Sequence, residues 1–191
     1  MERAMTAVPT GAPFTYEDLR SFPDDNYRRE LIDGQLIVSP SPITLHQRCV
    51  VRLLFLLGDA APPELEVLPG PVDVLFSRST VLVPDVVVVR TEEVGGPNLT
   101  RPPLLVVEVA SPSTRRTDRT LKLATYEAAG VPSYWLVDPD EPSLTVMDLD
   151  GDRYGEPLSA SGDQELRVER PYPLAITPAA LVRPAARPPA P

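Results

Sequence analysis

Pro103-Leu104-Leu105-Val106-Val107-Glu108-Val109-Ala110-Ser111-Pro112-Ser113 is the stretch whose reading decides the fold. It is short, rich in β-branched residues and ends at a Ser-Pro-Ser break, which marks a buried strand rather than a helix. Side chains alternate along a strand, so Leu104, Val106, Glu108 and Ala110 share one face and Leu105, Val107 and Val109 the other. Both faces are apolar, which predicts a central strand covered on both sides. Glu108 is then costly to leave charged. A protonated acid, an ion pair with an arginine or a bound metal would each resolve that cost. Earlier in the chain, Val81-Leu82-Val83-Pro84-Asp85-Val86-Val87-Val88-Val89 carries Asp85 in the same kind of setting. Pro84 cannot donate to a ladder, so this strand begins near it or bulges there. Two carboxylates inside two valine-rich strands read as a site, and their mutual repulsion favours protonation or a metal.

Outward from these strands, Thr15-Tyr16-Glu17-Asp18 has the form of a capped helix start, with an end near Phe22-Pro23. Arg28 to Val38 reads as a hairpin about Asp33-Gly34, a type I′ turn signal. In that register Glu30 faces Ile37, a third carboxylate on a partly apolar strand face. Glu30 reads equally as a rim residue that reaches water or pairs with a neighbouring arginine. Ser39-Pro40-Ser41-Pro42 is a break and a candidate cap for a helix from Ile43 to Leu57. There Ile43, His46, Val50, Leu53, Leu54 and Leu57 form one stripe, with Gly58 and the Ala60-Ala61-Pro62-Pro63 segment ending the helix. His46 sits at the edge of that stripe, where a packed, hydrogen-bonded histidine is the plainer reading. Cys49 reads as core filler.

Short strands are expected at 65–68, 72–76 and 81–89, and a Gly/Pro/Asn loop over 92–103. A helix from about Arg116 to Ala129 stops at Gly130. Leu121, Ala124 and Ala128 make its apolar stripe, and Lys122 and Tyr126 lie one turn apart beside it, at the boundary with water. Antiparallel strands at 134–138 and 143–147, a hairpin at Asp150-Gly151, weaker strands at 166–168 and 174–176, and a short helix opening at Thr177-Pro178 follow. This order predicts a mixed α/β (α+β) domain over 14–182, a mobile N-terminus over 1–13, and a disordered Pro/Ala-rich tail over 183–191.

Composition removes several classes of function. Of 191 residues, 42% are hydrophobic and 24% charged, normal for a globular domain. One cysteine and one histidine exclude a disulfide framework and a tetrahedral Cys/His zinc site. There is no Gly-x-Ser-x-Gly elbow, Walker A loop or Gly-x-Gly-x-x-Gly run. No apolar run approaches the ~18 residues of a membrane span, and no hydrophobic signal core opens the chain, so a cytoplasmic protein without membrane contact is expected. The net charge of −9 disfavours nonspecific nucleic-acid binding. Locally, however, Arg101, Arg115, Arg116, Arg119 and Lys122 outnumber Glu108 and Asp118.

Lys122 is the only lysine beside 17 arginines. A single ammonium in an arginine-using chain hints at a task that a guanidinium does not serve, such as orienting a water near a phosphate. A boundary lysine reaching toward water is the plainer reading of Lys122 alone. A hard cation such as Mg²⁺ takes one or two carboxylates and keeps several waters, which suits Asp85 and Glu108 in number and type.

Pro84-Asp85, then Glu108-Val109-Ala110, then a downstream lysine resemble a PD-(D/E)xK nuclease core with the lysine moved. More closely, several pieces together resemble the Uma2 family of bacterial restriction endonucleases. They are Tyr27 to Gly34, Ser39-Pro40 with His46 downstream, Pro84-Asp85-Val86, Val107 to Ser113, Lys122 with Tyr126, Ala129 to Pro132, and Tyr134 to Pro139. The resemblance covers most of residues 14–182. It implies a restriction-endonuclease-like core, a central mixed β-sheet flanked by helices, with an N-terminal β-hairpin. It implies Mg²⁺ or Mn²⁺ held by Asp85, Glu108 and the Val109 carbonyl, with Glu30 as an additional acid. Lys122 takes the catalytic lysine's role beside Asp85 and Glu108, with His46 and Tyr126 in support. DNA is the implied substrate and a homodimer a candidate assembly. The usual lysine slot, two residues after the Glu, holds Ala110, so Lys122 has to reach in from the next helix. Two other readings stand beside this one. One is a noncatalytic binding or assembly module on the same fold, with Lys122 paired to Glu108 and no metal. The other is glycoside hydrolysis by the two acids, for which 6% aromatic residues give little support.

Overall fold

The structure, a computed structural model, describes residues 13–23, 25, 27–111 and 118–184, with the side chains of Asp118 and Arg119 left aside. Leu105–Val109 is strand β7 when the strands are counted along the chain, and every one of its residues is buried. It pairs antiparallel with Val86–Arg90 (β6) on one side and parallel with Ser133–Asp138 (β8) on the other. Leu65–Pro69 (β3) adds to β6, while Ser143–Asp150 (β9) and Arg153–Tyr154 (β10) extend the sheet beyond β8. Leu158–Ser161 (β11) also pairs with β9. The result is a seven-stranded mixed sheet in which β7 is central, as its two apolar faces require.

The two faces of β7 feed two cores. Val86, Val88, Leu105, Val107, Val109, Trp135 and Val137 pack under the helix Thr44–Ala60 (α2), through Cys49, Val50, Leu53 and Leu57. On the opposite face, Val87, Val89, Val106, Ala110, Tyr134 and Leu136 pack with Tyr126, which lies on Leu123–Ala128 (α3). Leu166–Val168 (β12), Leu174–Ile176 (β13) and Pro178–Val182 (α4) close the α2 side.

The N-terminal half builds a second sheet. Arg28–Ile32 (β1) and Gln35–Ser39 (β2) form the expected hairpin, with Asp33 at φ 50° and Gly34 at φ 78°, the two positive values of a type I′ turn. Glu30 stands opposite Ile37. Thr80–Leu82 (β5) and Val74–Ser77 (β4) complete the order β2-β1-β5-β4. Tyr16–Ser21 (α1) caps the hairpin side, and Thr15 and Asp18 make the reciprocal capping box.

Four expectations need correction. The 81–89 run is not one strand: β5 ends at Leu82, β6 starts at Val86, and the two belong to different sheets. The long helix runs through Gly58 to Ala60. Ile43 is its exposed N-cap rather than part of its buried stripe, and no side chain caps that end. On the helix at 116–129, Leu121, Ala124 and Ala128 face outward while Lys122 and Tyr126 are buried. That element opens with a wide π-type turn, Asp118–Lys122, before α3. Residues 112–117, which include its expected start, lie outside the described residues, as do residues 1–12 and 185–191 of the two expected termini.

Candidate active site

Val83, Pro84 and Asp85 carry the chain from the second sheet into the central one, and the site is built on that crossing. Backbone groups leaving the ladders need new partners, and β1 supplies them. The Val83 N–H donates to Glu30 Oε1 at 2.8 Å, and the Val83 carbonyl accepts from Arg28 Nη1 at 3.1 Å. Arg28 and Glu30 are two residues apart on a strand and so share a face. Asp85 ends the crossing, directly before Val86 of the Val86↔Val107 pair, as Glu108 directly follows Val107. Its Oδ1 accepts from Arg28 Nη2 at 2.7 Å and its Oδ2 from the Val109 N–H at 2.8 Å. His46 Nε2, in the first turn of α2, is 3.1 Å from the same Oδ2, and a proton on Nε2 makes that contact a hydrogen bond. The other ring nitrogen, Nδ1, is buried with no hydrogen-bond partner among the described residues.

Glu108 lies on the α3 face of β7. Its Oε1 accepts from the Tyr126 hydroxyl at 2.7 Å and from Lys122 Nζ at 3.1 Å. Lys122 Nζ is also 2.8 Å from Glu30 Oε1. The ammonium therefore bridges acids from two different sheets. Relative exposure is 1% for Glu30, 3% for Asp85, 1% for Glu108 and 2% for Lys122, so these charges are held by one another rather than by water.

Burial pushes the Asp85 carboxyl up. The His46 hydrogen bond and the positive charges of Arg28 and Lys122 outweigh it and hold Asp85 well below the usual carboxylate range. Burial likewise opposes the charge on Arg28, and the Asp85, Glu108 and Glu30 carboxylates more than restore it. The Tyr126 hydroxyl is driven well above its ordinary value by burial and then by Glu108, which keeps it a donor. Cys49, buried under the same sheet, is pushed up to about 12 by burial and, to a lesser degree, by Asp85.

Glu30, His46, Asp85, Glu108, Val109, Lys122 and Tyr126 thus meet in one network. Two of them sit differently from the sequence expectation. Lys122 is fully buried rather than at the boundary, because Glu30 and Glu108 supply what water would have supplied. Glu30 is likewise no rim residue. Arg28 is the member that sequence reasoning missed. Its signal was present in the spacing: an arginine two residues before a strand glutamate, on the same face. Arg115 and Arg116, two of the five local basic residues, lie outside the described residues.

The Uma2 family model, described as "Putative restriction endonuclease", matches residues 15–181. The chain belongs to the Uma2 family. Among solved structures, this Uma2 chain is similar to a "putative nuclease belonging to DUF820" from Anabaena variabilis. The two are 19% identical, with a TM-score of 0.74 over 89% of this chain and 98% of that one. At that identity the likeness speaks for the shared fold. The comparison with curated proteins finds no match.

Restriction-endonuclease-like folds generally use divalent metals, so the donor set of this Uma2 member can be tested for fit. Among the described residues, no group of three or more His, Cys, Asp or Glu is arranged as a cation cage. In number and type, the two hard carboxylates Asp85 and Glu108 suit a Mg²⁺ or Mn²⁺ ion that keeps most of its waters. Both carboxylates also already face positive charge, Asp85 through Arg28 and Glu108 through Lys122.

Proposed function

We propose that residues 14–182 form a divalent-metal-dependent endonuclease unit that hydrolyses DNA phosphodiester bonds, acting in the cytoplasm. The observation that carries this reading is Asp85, just before β6 and bonded by the Val109 N–H, beside Glu108 of β7, with the Lys122 ammonium against Glu108. Asp85 and Glu108 would hold Mg²⁺ or Mn²⁺, with the Val109 carbonyl as a further oxygen donor and Glu30 as an additional acid. When bound, such an ion lowers the pKa of a water and offsets charge building on the phosphate.

The chain's own groups do the positioning. Glu30 fixes Lys122 Nζ from the second sheet, and Glu108 fixes it from the first. Held this way, the ammonium can orient a water or a phosphate oxygen beside the two acids, the task of a lysine two residues after the Glu in the usual arrangement. Tyr126 donates to Glu108 Oε1 and sets that carboxylate's rotamer. His46 and the Val109 N–H both hold Asp85 Oδ2 and orient the second carboxylate.

The test is Mg²⁺- or Mn²⁺-dependent nicking of supercoiled DNA at low salt. The wild type is expected to nick, and Asp85→Ala and Lys122→Ala each to lose on the order of 100-fold in rate or more. Equal activity in all three, or none in the wild type, overturns the assignment. The second reading, a noncatalytic module, draws on the complete burial of Lys122 between two acids, the habit of a structural ion pair. An inactive wild type that binds no Mn²⁺ is its expected result.

A further inference from the structure

Among the described cations that touch the buried acids, Arg28 is the one with a way out. Its side chain keeps 24% exposure against 2% for Lys122. It begins β1, and its guanidinium covers Asp85 Oδ1, an oxygen that the proposed metal site needs. An arginine cannot release Asp85 by losing its proton, because a guanidinium stays charged in proteins. It can release Asp85 only by moving.

Charge gives the move a reason. A divalent cation arriving at Asp85 repels the guanidinium beside it and attracts the anion of a phosphodiester, so the two ligands should favour each other's binding. A guanidinium displaced from Asp85 is also the side chain best matched to a phosphate's oxygens.

We infer that Arg28 is a placeholder cation, which holds Asp85 Oδ1 in the unloaded protein and passes to a substrate phosphate when a divalent cation takes that oxygen. This rests on the metal-site reading above. Placeholder and ligand compete for one carboxylate, so removing Arg28 frees the site for metal while depriving the substrate phosphate of its guanidinium. A purely structural arginine would lower both functions when removed.

The test measures Mn²⁺ binding by electron paramagnetic resonance on the full chain without DNA, for wild type, Arg28→Gln and Asp85→Asn. Arg28→Gln keeps a neutral donor toward the Val83 carbonyl. It is expected to bind Mn²⁺ at least about tenfold tighter than wild type and to lose at least about tenfold in kcat for DNA nicking at saturating Mg²⁺. A folded Arg28→Gln that binds Mn²⁺ no tighter than wild type overturns the placeholder while leaving the metal site standing. Wild type and Arg28→Gln both binding no better than Asp85→Asn overturns the metal site and the placeholder with it. A measurement on the unaltered sequence covers a variant that fails to fold. With ¹⁵N-labelled arginine, saturating Mg²⁺ should shift the side-chain resonance assigned to Arg28, and an unmoved resonance overturns the inference.

Discussion

Lys122 shows how a single residue can be singled out by the sequence and yet be misplaced by it. Its solitude among arginines marks it, but helical spacing puts it at the boundary, since an ammonium costs too much to bury alone. It is buried because Glu30 and Glu108 approach it from two sheets that no local window connects. Lys122→Met should therefore take a shared cation from two buried carboxylates and cost about 3–5 kcal/mol in urea unfolding. Adding Glu30→Gln to that variant should recover part of the loss. Cys49 gives a check on the same interior. With its thiol pushed up to about 12, it should resist thiol reagents at pH 8 until denaturant is added. The sign of the linkage follows from a folded value above the ordinary 9.0: an unfolded thiol ionises first. Its contribution to stability is complete below pH 9 and falls as pH rises from there toward about 12. Over that window the slope should be steeper in the wild type than in Cys49→Ala, since the raised tyrosine hydroxyls contribute equally to both.

Among the elements, the crossing at Val83-Pro84-Asp85 is the one on which the site depends. Pro84 in a valine run signalled an interruption, and the interruption is a change of sheet. What holds it is β1, through Arg28 and Glu30, and also Gly70, whose N–H donates to the Asp85 carbonyl at 2.8 Å. A Cβ on Gly70 would stand 2.6 Å from the Pro84 carbonyl oxygen, a backbone atom that cannot give way cheaply. Gly70→Ala should thus cost at least about 1 kcal/mol by strain and reduce DNA nicking by moving Asp85. Thermal unfolding and the nicking assay on this variant read the two effects separately. The Asp118–Lys122 turn is the second such element. A π-type turn commonly marks a functional position, and here it leads directly to the site lysine.

For the whole molecule, the governing quantity is a net charge of −9. On the proposed nuclease reading, a protein of that charge is expected to meet DNA with few phosphate contacts. Its affinity, measured by fluorescence anisotropy with Ca²⁺ in place of Mg²⁺, should fall by less than roughly 10³-fold between 50 and 200 mM salt. A steeper fall would mean a concentrated basic face. No helix among the described residues is long and apolar enough to cross a membrane.

The sequence by itself determined the central strand, its two apolar faces, the hairpin with Glu30 opposite Ile37, and the acids, because strand periodicity, turn chemistry and burial cost act within a few residues. It also carried the family, through motifs whose order survives in one dimension. Tertiary structure alone decided that the 81–89 run splits between two sheets, that Lys122 and Tyr126 rather than Leu121, Ala124 and Ala128 face inward, and that Arg28 joins the site. Each depends on which charges and backbone groups meet across sheets. In a low-dielectric interior such meetings outweigh local hydropathy, because an unpaired charge or amide there costs more than an exposed leucine.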